Sequence, residues 1–330
     1  MSQFKSFIVR EIEKGEFVGR VESKNLHDLE SGDVLIRVHY SSLNYKDALS
    51  ASGNRGVTRR YPHTPGIDAA GVVEQSAAES FKQGDEVIVS GFNLGMNHSG
   101  GFAEYIRVPA DWVVSLPKTM TLLESMKLGT AGFTAGQCVD ALISHGVVPE
   151  GGKILVTGAT GGVGSVSIAI LSQLGYQVSA LTGKSESAFL TELGVSEIIE
   201  RSKMLGFKKK LLLKEKWAGV IDTVGGEYLA TAIKACKYQG VVAACGNAAA
   251  AELDLTVYPF ILRGVSLIGI DSAKSPVSLR EKVWQKLAGG YRFDQLDHLA
   301  QVINLYDLNE HIELMLAGKL KGRVVVSMLA

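Results

Sequence analysis

A strand-like run, Lys153-Ile154-Leu155-Val156-Thr157, enters the glycine-rich stretch Gly158-Ala159-Thr160-Gly161-Gly162-Val163-Gly164, and a helical pattern follows. Glycines at such a junction permit a tight turn and let backbone N–H groups close on a pyrophosphate, which then rests on the positive end of the helix. The spacing is G-x-x-G-G-x-G rather than the strict G-x-G-x-x-G, but the physics of the turn is unchanged. The next strand ends in Val178-Ser179-Ala180-Leu181-Thr182-Gly183-Lys184-Ser185. A site for NAD places Asp or Glu at that tip to bind the ribose 2′-hydroxyl. Here the tip carries hydroxyls and Lys184, which attract a 2′-phosphate. Arg201, just beyond the strand-like Glu197-Ile198-Ile199, is a second candidate cation. NADPH is the expected cofactor.

Elements of the right kind surround this loop. From about Met126 onward, strands and helices alternate: a helix over Leu128–His145, the strand before the loop, then a helix over Gly164–Leu174. The strand Gln177–Leu181 and a helix Ser185–Leu193 follow, then strand Ala218–Asp222, a helix near Glu227–Lys237, and strands Gly240–Ala244 and Ser266–Ile270. Such βαβ alternation predicts a parallel, doubly wound sheet. The first 125 or so residues instead show short β-segments broken by Gly and Pro, at Asp33–Tyr40, Gly71–Glu74, Asp85–Val89, Phe102–Val108 and Trp112–Leu116. That pattern suits a small closed or half-closed β-barrel. Helical patches at Ser278–Leu287 and Leu308–Ala317 precede a β-branched strand, Gly322–Ser327, that is expected to return to the barrel. The expected boundaries are 1–127 with 273–330 for the barrel domain and 128–272 for the nucleotide domain. The one basic run, Phe207 to Lys216, reads as a helix with a solvated lysine face.

Positive and negative side chains balance at 34 each, so no bulk attraction to nucleic acid or to an anionic membrane is indicated. No apolar stretch reaches the length of a membrane span, and the N-terminal residues lack the apolar core of a signal peptide. Cys138, Cys236 and Cys245 are widely spaced among apolar neighbours, as in a reducing compartment; cytoplasm is expected. His63 and His98 are loop histidines without soft partners, and no Cys-x-x-Cys occurs, so no metal is expected. The apolar run Val265–Ile270 falls at the end of the strand order, where an exposed edge favours pairing with its twin in a homodimer.

Several blocks in fixed order carry a family resemblance: Ser42-Leu43-Asn44-Tyr45-Lys46-Asp47, Pro65-Gly66-Ile67-Asp68, Gly129–Ala135, the glycine loop, Trp217–Gly225, Ala243–Gly246 and Pro259–Arg263. Over essentially its whole length the chain resembles the zinc-free quinone-oxidoreductase branch of the medium-chain dehydrogenase/reductase superfamily, within it the acryloyl-CoA reductase group. The resemblance implies a GroES-like β-barrel substrate domain plus a Rossmann domain, with Pro65–Asp68 standing where zinc-dependent members carry a Gly-His-Glu ligand segment. It implies NADPH-dependent reduction of an activated carbon–carbon double bond, acryloyl-CoA going to propionyl-CoA. A quinone or enone reductase of broader substrate and an NADPH-binding protein without turnover stay open beside it.

By the same resemblance, Tyr45 lies by the nicotinamide, Thr160, Gly161, Gly162 and Val163 lie under the pyrophosphate, and Thr182, Gly183, Lys184 and Arg201 surround the 2′-phosphate. Asn247, Ile261 and Ser272 border the nicotinamide end. Two departures stand out. Lys184 replaces an expected Arg, which keeps the charge but loses the bidentate fork. Gly318 replaces a residue that offers an amide side chain, leaving only its backbone. Without zinc, Tyr45 is the candidate catalytic side chain, its phenol donating to the substrate carbonyl oxygen; packing beside the nicotinamide is the equal alternative. Arg55, Arg59 and Arg60, on a Gly-flanked loop beyond it, are candidate contacts for coenzyme A phosphates, with exposed loop charge the commoner explanation.

Overall fold

The computed structural model describes residues 3–184 and 187–329; Ser185, the expected first residue of one helix, lies outside them. The chain opens with a hairpin, β1 (Gln3–Glu13) and β2 (Glu16–Asn25), followed by β3 (Val34–Leu43), α1 (Tyr45–Ala51), β4 (Asp68–Ser76), β5 (Glu86–Ser90), β6 (Tyr105–Val108) and β7 (Val113–Ser115). Next come α2 (Leu122–Ser144), β8 (Lys153–Thr157), α3 (Gly162–Gln173), β9 (Val178–Thr182), α4 (Ser187–Glu192), β10 (Glu197–Glu200) and β11 (Trp217–Asp222). The remainder is α5 (Gly226–Lys234), β12 (Cys236–Ala244), α6 (Tyr258–Arg263), β13 (Ser266–Gly269), α7 (Val277–Ala288), α8 (Leu296–Leu299), β14 (Ala300–Asn304), α9 (Leu308–Leu316) and β15 (Arg323–Ser327).

Two compact units result. The first comprises Met1–Thr130, Ala273–Ala288 and Leu296–Ala330; the second comprises Ala131–Ser272 with Gly289–Gln295. In the first unit, strands run in the order β14-β15-β3-β4-β5-β7, with β6 also on β3 and with β1 and β2 forming a separate pair. The last strand is hydrogen-bonded to the third, Val324 opposite Leu43 and Val326 opposite Ser41. Antiparallel strands with one covered face alternate inward and outward side chains. Val34, Ile36, Val38, Val87, Val89 and Ile106 accordingly share one buried cluster. The unit has the GroES-like fold.

The second unit is a six-stranded parallel sheet in the order β10-β9-β8-β11-β12-β13, the Rossmann arrangement. β8, β9 and β11 are buried along almost their whole length, which is why they read as continuous apolar runs rather than alternating ones. The order reverses between β8 and β11, so the carboxyl ends of those two strands flank the crevice-forming position of the fold.

Two expectations change. The stretch Phe207–Lys216 holds no helix; it turns at Lys208–Lys209, with Lys210 N–H donating to Phe207 O, and then runs without regular structure, Leu213 N–H donating to Lys234 O and Lys216 N–H to Ala235 O at the end of α5. Arg263 takes the Leu213 carbonyl at 2.6 Å, so the backbone groups a helix would have paired internally are claimed by neighbours. The N-terminal hairpin, not singled out in the sequence, pairs along nearly its full length, and β2 is mostly exposed or half-buried, which hides its alternation.

Candidate functional site

In the second unit, the glycine loop is built by close approach. Gly158 has φ +60, and a Cβ there would stand 2.2 Å from Thr223 Oγ1; a Cβ on Gly164 would stand 2.4 Å from the Gly158 carbonyl. Only glycine fits either position. The loop is anchored from below by Thr157, whose hydroxyl donates to Asp222 Oδ1 at 2.7 Å, while Asp222 Oδ2 accepts the Gly225 N–H at 2.8 Å. Burial pushes the Asp222 carboxyl up, and these donors pull against that shift. β8 and β11 are thereby tied together where the strand order reverses.

α3 then starts at Gly162 with Gly161 as its N-cap, without a capping side chain and without an acidic residue in its first turn. Its leading N–H groups are thus offered outward to an anion, with the helix dipole behind them. Thr160 is buried, Gly161 exposed, and Gly162 and Val163 half-buried along this rim. These residues fit a dinucleotide pyrophosphate.

At the next strand tip, Thr182 Oγ1 accepts the Lys184 N–H at 3.0 Å, which curls the chain at Gly183. Parallel pairing of Glu200 with Thr182 sets Arg201 beside that curl, its Cδ 3.4 Å from where a Cβ on Gly183 would be. The Arg201 guanidinium lies 4.6 Å from the Tyr228 ring centroid, a stack that orients it. Glu200, the neighbouring acid, accepts from the Ser202 hydroxyl at 2.7 Å. The Arg201 side chain therefore lies against Gly183, one residue before Lys184, at the tip where a 2′-phosphate would sit. The Asn247 loop tucks against the exit of β11, its Cα 3.2 Å from a Cβ built on Gly225, and Ser272 follows the end of β13. Loops leaving the carboxyl ends of strands thus collect Thr160–Val163, Thr182–Lys184, Arg201, Asn247 and Ser272. Ile261 differs: it is 67% exposed on α6, which feeds the amino end of β13.

In the first unit, Tyr45 is the first residue of α1 and 55% exposed. What fixes it is a buried polar network. Asn44, the N-cap, gives its backbone N–H to Asp47 Oδ2 at 2.8 Å and its side-chain amide to Asp68 Oδ2 at 2.8 Å, while its Oδ1 accepts from Arg323 at 3.2 Å. Asp68 also receives the Ser42 hydroxyl at 2.5 Å, and the Thr130 N–H and hydroxyl at 2.9 and 2.6 Å. Asp47 Oδ1 receives the N–H groups of Gly66 and Ile67 at 3.1 and 2.8 Å. Gly129, with φ +54, kinks α2 onto this network; a Cβ there would stand 2.3 Å from Ser42 Oγ. The Asp68 carboxylate, in the segment that resembles a zinc-ligand position, is thus spent on protein donors. Sequence inspection missed Asp47, Asp68 and Arg323; only an arginine heading the apolar run Val324-Val325-Val326 hinted at a buried charge.

Other expected residues sit apart from that network. Gly318 follows α9 with φ +67 and gives its N–H to Met315 O, so the helix end already uses its donor. Arg55 donates to Glu11 at 2.5 Å and to Arg59 O at 2.9 Å, beneath the rings of Phe17 and Tyr61. Arg59 and Arg60 are exposed. His98 shares its ring nitrogen with Arg107 O at 2.6 Å, and burial pushes the His63 imidazole down. Among the described residues, no three His, Cys, Asp or Glu side chains gather to hold a metal.

Two family models match the chain: the alcohol dehydrogenase GroES-like domain over residues 30–118 and the zinc-binding dehydrogenase over 162–288. An acrylyl-CoA reductase of Ruegeria pomeroyi is 44% identical, over 98% of each chain. The yhdH oxidoreductase of Salmonella enterica, solved in complex with NADP, superposes with a TM-score of 0.95 at 40% identity, covering 98% of this chain and 99% of the other. The yhfP protein of Bacillus subtilis, solved with NAD bound, gives 0.96 at 40% identity, covering 99% and 100%.

The buried network has a measurable signature. Burial and the nearby Asp68 charge push the Asp47 carboxyl up to about 7, against the pull of its N–H donors. A folded-state value above the unfolded one means that the folded chain holds the proton more tightly. This contribution is therefore full below about pH 4 and is lost as pH rises toward 7, at no more than about 1.4 kcal/mol per pH unit. Urea unfolding of the wild type between pH 4.5 and 7.5 should show that decline, and Asp47→Asn should flatten it; identical slopes would remove Asp47 as its source.

Proposed function

Because the chain belongs to the zinc-free quinone-oxidoreductase branch of the medium-chain dehydrogenase/reductase superfamily, in its acryloyl-CoA reductase group, we propose that it reduces an activated carbon–carbon double bond with NADPH, acryloyl-CoA to propionyl-CoA. The observation that carries the cofactor is the acid-free tip of β9, where Arg201 lies against Gly183 and Lys184 follows it. The near full-length identity to an acrylyl-CoA reductase carries the substrate class. Bound NADPH supplies a hydride for the β-carbon of the enoyl thioester. The chain's own part is to bind and align. The N–H groups of the loop and of the first turn of α3 hold the pyrophosphate, and Lys184 with Arg201 hold the 2′-phosphate. Tyr45 Oη donates a hydrogen bond to the thioester oxygen as it gains charge, held in place by the Asn44 cap behind it.

The active chain is a homodimer in the cytoplasm. β13 pairs only with β12 in the six-stranded sheet, and Leu267 on it is exposed, as are Val257, Ile261 and Leu262 on and before α6. An apolar edge of this kind is covered when two copies pair about a two-fold axis. All three cysteines are free thiols, as suits a reducing compartment, and no helix among the described residues is long and apolar enough to cross a membrane. Sedimentation at micromolar concentration should report a dimer; a monomer there would contradict the pairing.

Since one relative carries NAD, the comparison of both cofactors on this chain is decisive. NADPH should bind more tightly than NADH, and Lys184→Asp should erase the difference, a loss of about 1.5–3 kcal/mol. Equal wild-type affinities would refute the phosphate site. Turnover with acryloyl-CoA should exceed that with small quinones, and the reverse ranking would move the chain to quinone reduction.

Tyr45→Phe separates hydrogen bonding from packing. A lost donor to the developing charge should slow single-turnover hydride transfer roughly a hundredfold, about 2.7–4 kcal/mol, with NADPH affinity nearly intact. A wild-type rate in the Phe variant would leave the ring as packing alone, and Tyr45→Ala would then weaken cofactor binding instead.

A further inference from the structure

In a doubly wound sheet, the crossover between parallel strands is ordinarily a helix laid over the sheet face. Between β10 and β11 the described residues form only a 3-10 turn, Arg201–Met204, followed by the lysine-rich stretch, which has a turn at Lys208–Lys209 and no helix. A cavity of about 370 Å³ lies there, within the roughly 300–1,000 Å³ of small-molecule sites. Its walls are apolar, from Ile199, Met204, Phe207, Leu213 and Ala235. Trp217 closes the wall, and its buried indole N–H has no acceptor among the described residues.

The rim is charged and unbalanced. Lys203, Lys214 and Lys216 face a single acid, Glu197. Glu197 is already shared by Lys153 and Lys216, each at 3.0 Å. Burial raises its carboxyl, but the Lys153, Lys216 and Ser179 donors outweigh this and bring it down to about 2, so it stays an anion committed to those partners. Lys203 and Lys214 have no ion pair among the described residues. Glu197 and Trp217 begin their strands, so that end of the cavity lies toward the amino edge of the sheet, while Lys203 and Met204 follow the carboxyl end of β10; no residue of the glycine loop lines it.

An apolar interior beneath an uncompensated positive rim selects a molecule with a hydrocarbon body and one anionic end. We propose that this cavity binds a small amphipathic carboxylate, its hydrocarbon against Ile199, Met204 and Leu213 and its carboxylate between Lys203 and Lys214. Its lining shares no residue with the glycine loop, Lys184 or Arg201, and it does not depend on the reaction assigned above.

Calorimetric titration of the full chain with octanoate tests it. One octanoate per chain is expected, weakened roughly five- to tenfold in Lys203→Ala/Lys214→Ala and weakened again by high salt. Octanol, with the same chain and no charge, should bind less tightly, and saturating NADPH should leave octanoate affinity unchanged. No binding at millimolar octanoate, equal binding of octanol, an unaltered affinity in the lysine variant, or competition by NADPH would each overturn the proposal. Ala235→Phe fills the cavity and should abolish binding; retained binding in the folded variant also overturns it. If that variant does not fold, the lysine variant and the NADPH competition decide.

Discussion

Two carboxylates and a guanidinium lie together in the interior of the first unit, and much of that unit is arranged to make their burial bearable. Removing an ion from water costs on the order of several kcal/mol even after relaxation. Asp68 meets the cost with donors from Ser42, Asn44 and Thr130, and Asp47 with three backbone N–H groups. Arg323 reaches in from the last strand to the carbonyls of Lys127 and Leu43 and to Asn44; burial pulls its guanidinium down, and the two carboxylates oppose that. Strand ends, a helix start and a helix kink all converge on these three groups. The kink at Gly129 exists because a side chain there would displace the network.

The network ends at the exposed start of α1. Asn44 is held by opposite charges at its two ends, oxygen toward Arg323 and nitrogen toward Asp68, so its amide orientation is fixed by electrostatics. Tyr45 follows it directly, and a phenol at the first position of a capped helix loses little freedom when it meets a ligand. The second unit solves a different problem with less charge. There Thr157 and Asp222 tie β8 to β11, and glycines rather than side chains shape the rim. One unit presents a side chain on a capped helix, the other presents bare backbone.

Legibility in the sequence followed the physical signal available. The parallel sheet was readable because β8, β9 and β11 are buried on both faces and so appear as short unbroken apolar runs. The cofactor was readable because a missing acid at the tip of β9 is visible in one dimension. Asp47, Asp68 and Arg323 were not, since ionisable residues look alike in sequence whether they are solvated or paired across 280 residues. The stretch Phe207–Lys216 misled through its composition. Lysines around three leucines imitate an amphipathic helix, yet α5 and Arg263 claim its backbone groups.

The position of β15 bears on how the chain is made. Its hydrogen-bond partner β3 emerges from the ribosome first, and the segment holding Arg323 follows about 280 residues later. At about 5–20 residues per second, that interval is roughly 15–55 s. Throughout it, β3 has no partner on the β15 side, and Asp47 and Asp68 have no guanidinium near them. The second unit, contiguous apart from Gly289–Gln295, can assemble almost whole during the same interval. Synthesis therefore imposes an order: the nucleotide half forms first, and the half bearing Tyr45 closes only when its last strand arrives.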